Sequence, residues 1–159
     1  MSVPPTKQLS EAELANIRAD AFLRLYYNAH DSTAQFRKEN VPKFYRTQST
    51  CNWNGNALVG PDQIQGFWAG KPLSKHEIQS YDCHPIPGSS SDTRPASLLI
   101  TVSGVVVHGP MAKDPLQTGT KKMEEAPRVF SQSFVLMPEE PVGPEPKYYI
   151  ASDTLRFVG

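Results

Sequence analysis

The amino-acid sequence predicts an α+β fold, a curved antiparallel sheet with helices on its concave face, and three observations carry that expectation. Helical spacing of apolar residues is confined to residues 9–70, whereas residues 74–158 hold four long strand-like runs. Turn-forming Pro, Gly, Ser and Asp separate those runs. A chain of 159 residues has the length of one domain with a single sizeable core. Residues 1–8 read as a flexible N-terminal tail and residues 9–159 as the domain.

The first helix is expected over residues 9–30. Ser10 suits its N-cap, with Glu13 three residues on to close a capping box, and Leu14, Ile17, Ala21, Phe22, Leu25 and Tyr26 follow at helical spacing as its apolar face. Asp31, Ser32 and Thr33 break the pattern, residues 34–40 read as a second short helix, and Pro42 leads into extended chain. Residues 50–60 read as a hairpin turning at Asn54-Gly55. Residues 61–70 form a third helix, with Pro61 at its start, Gly70 at its end and Ile64, Phe67 and Trp68 on one face. Trp53, Phe67 and Trp68 are read as core packing rather than a ligand-stacking platform. Strands are expected over residues 74–86, 97–108, 129–137 and 147–158. Residues 87–95 have the composition of a flexible loop. Residues 109–127 make a long loop insertion in which Lys113, Lys121 and Lys122 nearly balance Asp114, Glu124 and Glu125.

Charge and composition exclude several classes. Sixteen basic and sixteen acidic residues and a pI near 6.9 leave no overall field to draw in nucleic acid or an anionic membrane. No apolar run reaches the ~18 residues of a membrane span, and the N-terminus lacks a signal-peptide hydrophobic region, so a soluble intracellular protein is expected. Cys51 and Cys83 have no metal-ligand spacing and read as buried thiols. Phosphate loop, zinc pattern and serine–histidine motif are all missing, and neither a cofactor nor a metal is expected.

The C-terminal run is the most informative segment. A two-residue period places Tyr149, Ala151, Leu155 and Phe157 on one side and Ile150, Ser152, Thr154, Arg156 and Val158 on the other. The second side is small and half apolar with a single cation, Arg156, near its end. That composition suits a sheet face covered by another protein, and a guanidinium there can take a carboxylate bidentately. A surface arginine at a chain end is the plain alternative. Neighbouring strands extend the pattern: Phe130, Phe134 and Leu136 point inward and Ser131, Ser133, Val135 and Met137 outward, while residues 97–107 are apolar on both sides. An apolar outer face usually marks a partner. Arg156, Ser152, Ile150, Val135, Ser133, Ser131, Val105 and Leu99 are the expected partner-binding residues.

Several segments together resemble the nuclear transport factor two family, and within it the p15-like small subunits that pair with TAP-type mRNA export receptors. The resemblance is carried by residues 22–27, by Trp53 to Ala57 with Gly60, by residues 73–78 and 82–85, by residues 102–105 and 130–136, and above all by residues 149–157. It implies a cone-shaped domain whose sheet packs on the related domain of a larger TAP-family subunit, in a heterodimer that carries mRNA through nuclear pores and engages phenylalanine-glycine nucleoporins. It also implies that Arg156 reaches a partner carboxylate, and that the protein shuttles between nucleus, nuclear pore and cytoplasm. The stretch 109–127 departs from shorter family members, and no function transfers to it.

Two other readings stay open. The same cone fold hosts isomerases and dehydratases, for which Asp82, His76, His84, Tyr26 and Asp31 are the candidate acids and bases. His76, Asp82 and His84 share strand parity and could line one face, although solvated or capping roles suit them better, and no enzyme is expected. Asp153, on the other parity from Arg156, is expected to be a structural carboxylate accepting bonds from backbone or from a hydroxyl such as that of Tyr26. The third reading is a homodimeric Ran carrier. Like arginines meeting across a symmetric interface would repel, which favours the heterodimer.

Overall fold

The first helix starts where its cap dictates. Ser10 accepts the Glu13 backbone N–H, the Glu13 side chain takes the Ser10 N–H in return, and α1 (Glu11–His30) follows. The computed structural model describes residues 8–109 and 126–158, so residues 110–125 of the expected insertion and residues 1–7 of the tail lie outside the described residues. Thr33 caps α2 (Ala34–Asn40), and a short 3-10 helix at Val41–Phe44 leads into β1 (Tyr45–Trp53). The turn at Asn54 and Gly55, both at positive φ, returns the chain as β2 (Asn56–Val59). Then come α3 (Gly60–Trp68), β3 (Ser74–Pro85), β4 (Leu98–His108), β5 (Arg128–Pro138) and β6 (Tyr148–Phe157).

The strands form one six-stranded sheet in the order β2-β1-β6-β5-β4-β3. The sheet is mixed rather than antiparallel throughout, because β1 and β6 run parallel. These two strands are far apart in sequence, which satisfies the long connection a parallel pair requires. The sheet is open and curved, and the helices occupy one side: α1 lies on β3 and β4, and α3 lies on β1.

Between helices and sheet sits the core, with Phe22, Tyr26, Ile64, Leu98, Ile100, Val102, Phe130, Phe134, Leu136 and Ile150 buried in it. The face that α1 buries differs from the expected one. Ala15, Ala19, Phe22, Leu23, Tyr26 and Tyr27 turn to the sheet, while Ile17, Ala21 and Leu25 face solvent. Small Ala15 and Ala19 let the helix sit close to β3, where Cys83 Sγ donates to the Ala15 carbonyl at 3.5 Å. Trp68 is buried, and Trp53 and Phe67 pack against the core edge-on to it at centroid distances of 5.5 and 5.3 Å.

Arg37 is buried without a carboxylate. Its guanidinium donates to the carbonyls of Pro72, Trp68 and Lys71 at 2.8, 3.2 and 2.7 Å, so it closes the C-terminal end of α3 and ties it to α2. Among the described residues, no helix is long and apolar enough to cross a membrane.

Candidate functional site

Alternation along β4, β5 and β6 puts one row of side chains on the face of the sheet opposite α1 and α3, which no helix among the described residues covers. Strand registers align these into rungs: Leu99, Val135 and Ser152; Thr101, Ser133 and Thr154; Ser103, Ser131 and Arg156; then Val105 and Val129. Leu99 and Val129 stay 40% and 49% exposed. Arg156 is the charged member of these rungs. It is exposed, and among the described residues it has no carboxylate within salt-bridge distance. Seven of the eight expected partner-binding residues, Leu99, Val105, Ser131, Ser133, Val135, Ser152 and Arg156, therefore stand on one face.

Ile150 does not. It is 0% exposed and belongs to the core. The register of β5 with β6 jumps from Val135–Ser152 to Leu136–Ile150, leaving Ala151 as a bulge. Before the bulge the two-residue period is inverted, so Ile150 points inward and Tyr149, expected on the core side with Leu155, lies on the outer side; after it Asp153 and Leu155 are buried and Arg156 faces out.

A second bulge undoes the grouping of His76, Asp82 and His84. The pairing of β3 with β4 shifts between Ile78 and Ser80, so His76 turns toward the core while Asp82 and His84 are exposed. His76 meets Asp31 instead. Its Nδ1 lies 2.6 Å from Asp31 Oδ1, its backbone N–H donates to Oδ2 at 2.7 Å, and Ser74 Oγ donates to Oδ1 at 2.8 Å. Burial raises the Asp31 pKa, but the His76 and Ser74 bonds and the His76 charge outweigh it and hold the carboxyl below its ordinary value. Asp31 follows α1 directly and caps it, and these bonds fasten the helix end to the start of β3.

A further polar network lies inside the core. Tyr27 donates to Gln132 Oε1 at 2.7 Å, and Gln132 Nε2 reaches the Tyr26 hydroxyl at 3.1 Å and Asp153 Oδ2 at 2.9 Å. The expected Tyr26 hydroxyl bonds to Gln132 instead, and Asp153 is a structural carboxylate held by Gln132 with the Tyr45 hydroxyl and the Cys51 thiol beside it. Burial pushes the Asp153 pKa up to about 6, against the opposing bond from Gln132. Gln132 has the parity of Phe130 and Phe134, and a polar residue in that series is the signal that could have located the network. Burial likewise raises the phenols of Tyr26, Tyr27 and Tyr45 and depresses His30. Among the described residues no group of three His, Cys, Asp or Glu side chains could hold a metal ion.

Relatives share this architecture. Residues 11–135 match the family described as nuclear pore RNA shuttling protein Mtr2. An NTF2-related export protein of Caenorhabditis elegans is 28% identical over 161 residues, covering 99% of both chains. Among solved structures, the C. albicans Mtr2–Mex67 M domain complex superposes with a TM-score of 0.65 at 18% identity, covering 91% of this chain and 96% of the other. A putative scytalone dehydratase of Novosphingobium aromaticivorans superposes with a TM-score of 0.67 at 10% identity, covering 95% and 89%. These two structures establish the fold, and the family match over residues 11–135 establishes the lineage: the chain belongs to the Mtr2 family of nuclear pore RNA shuttling proteins.

Proposed function

We propose that the chain is the small adaptor subunit of a heterodimeric mRNA export receptor, and that its outer sheet face is covered by the related domain of a larger TAP-type subunit. The observation that carries this is the face itself. One side of the sheet is roofed by α1 and α3, and the other offers rungs of Leu, Val, Ser and Thr around Arg156. Across β4, β5 and β6 this face is poor in charge, with Lys75, Glu77, Asp82 and His84 of β3 exposed along one edge, and that central band is a poor surface for water and a good one for a second sheet. Arg156 would supply specificity, donating to a partner carboxylate and rejecting a like charge. Through the heterodimer the chain would engage phenylalanine-glycine nucleoporins and move between nucleus, pore and cytoplasm.

This role needs no turnover. Among the described residues the one close carboxylate–imidazole pair, Asp31 with His76, is engaged in tying α1 to β3, and Asp153 is held within the core by Gln132.

The test is Arg156→Glu in a pull-down with the larger subunit, beside a thermal melt of the isolated chain. Truncating or reversing one member of a desolvated charge pair costs roughly 2–5 kcal/mol in binding. Binding is expected to fall by at least that much while the melt stays close to the parent's. Parental affinity at moderate salt would reduce Arg156 to a surface charge and remove the main support for this face.

A further inference from the structure

The outer face is not flat. Beside the Leu99, Val135 and Ser152 rung, the parallel pairing of β1 with β6 runs from Tyr45–Ile150 to Thr50–Ser152, so residues 46–49 of β1 stand against Ala151 alone. Beside this surplus backbone lies a notch of about 340 Å³. Met137, Tyr149 and Ala151 line it on the sheet side, and Arg46, Thr47 and Gln48 on the other.

The notch is a built feature. Ser49 is buried and donates to the Ile150 carbonyl at 2.5 Å while accepting the Arg46 N–H at 2.8 Å, which satisfies the bulged backbone. Gly60, at φ +80°, lies so close to Thr47 that a Cβ there would stand 3.1 Å from the Thr47 carbonyl oxygen. The charge on its wall is already engaged. Arg46 is ion-paired with Glu139, donates to the carbonyls of Lys43 and Tyr45 at 2.9 Å, and lies over the Tyr149 ring at 5.3 Å. What faces a visitor is the Ala151 methyl and the Met137 side chain, whose thioether accepts the Tyr149 hydroxyl at 3.7 Å, with Thr47 and Gln48 at the rim.

We infer that this notch is the anchor pocket of the interface, and that it receives one large apolar side chain projecting from the larger subunit. The inference rests on the heterodimer reading above. Its own support is continuity and packing: the notch borders Val135 and Ser152, and interface cores pack as densely as protein interiors. A partner sheet laid over this face without a side chain in the notch would leave a void, whose lining loses its contacts. A residue seated in such a desolvated pocket is the kind that dominates binding energy.

Two substitutions test it in the heterodimer. Ala151→Cys introduces a thiol into the notch, while buried Cys51 and Cys83 stay silent because burial pushes both thiols up, Cys83 to about 11. Maleimide should label Ala151→Cys in the free chain, and that labelling should be lost in the complex. Ala151→Trp fills the notch and should weaken binding at least about tenfold, as loss of an anchor does, with a melt of the isolated chain matching the parent's. Ser133→Cys, at the centre of the face, separates the two ideas. If Ser133→Cys is protected in the complex while Ala151→Cys stays reactive, or if Ala151→Trp binds like the parent, the notch is not an anchor and the interface stands. If Ser133→Cys labels equally in free and complexed chains, the interface reading fails, and the anchor with it.

Discussion

Burial sets the chemistry of Asp153. It sits 3% exposed beneath the helices, and its pKa of about 6 lies above the usual carboxylate range. A group whose folded pKa is raised contributes stability that is present below its unfolded pKa near 4 and lost as pH rises through about 6. Asp153→Asn keeps an acceptor for Gln132 and removes the charge. At pH 7 the variant should be more stable than the parent by on the order of 2–3 kcal/mol, and the gain should vanish near pH 4. Urea unfolding at the two pH values measures this; an equal difference at both would show that the carboxylate charge carries no cost. His30 and His108 act with the opposite sign. Burial is the main cause in both, and His108 is lowered to about 4. Each stays neutral in the folded chain while its unfolded form takes a proton below pH 6.5, so both withdraw stability as pH falls through that window.

At the scale of elements, bulges decide which residues reach the outer face of the sheet and which reach the core. The bulge in β3 brings the Glu77 backbone so close to β4 that a Cβ on Gly104 would meet the Glu77 carbonyl oxygen at 2.2 Å and the Phe130 ring at 3.1 Å. Neither can give way, one being backbone and the other a ring 0% exposed in the core. Gly104→Ala should therefore destabilise the chain by about 1–3 kcal/mol or more through overpacking, measurable by chemical denaturation. A parental midpoint would mean that β3 can slide away from β4. The same bulge accounts for the parting of His76 from Asp82 and His84. No composition signal marked it, since a bulge is a backbone event stabilised by neighbours rather than by its own residues.

The described residues form a two-sided molecule, with helices over one face of the sheet and none of them over the other, and the full chain carries no net formal charge. Electrostatic steering would therefore contribute little to partner encounter, and contacts within the face would govern residence time. Stopped-flow association with the larger subunit should change by less than about tenfold between low and high salt, the lower end of what steering supplies. A steeper fall would place a charged patch, rather than the Leu, Val and Ser rungs, at the centre of recognition.

Much of this was legible in the chain. Periodicity located all three helices and the four long strands, the Ser10–Glu13 box and the Asn54-Gly55 turn were local patterns, and parity alone put Leu99, Val105, Ser131, Ser133, Val135, Ser152 and Arg156 on one face. These are short-range properties, set by the backbone's own periods and by side chains within a few residues. Tertiary structure decided the rest. Ile150 moved inward because a bulge at Ala151 inverts the period, α1 turned Ala15 and Ala19 rather than Ile17 and Leu25 to the sheet, and β1 paired parallel with a strand from the other end of the chain. The notch beside Ala151 exists only where those two distant strands meet out of step. Register, bulge and close approach depend on what the opposite strand or helix presents, and a single segment does not contain that information.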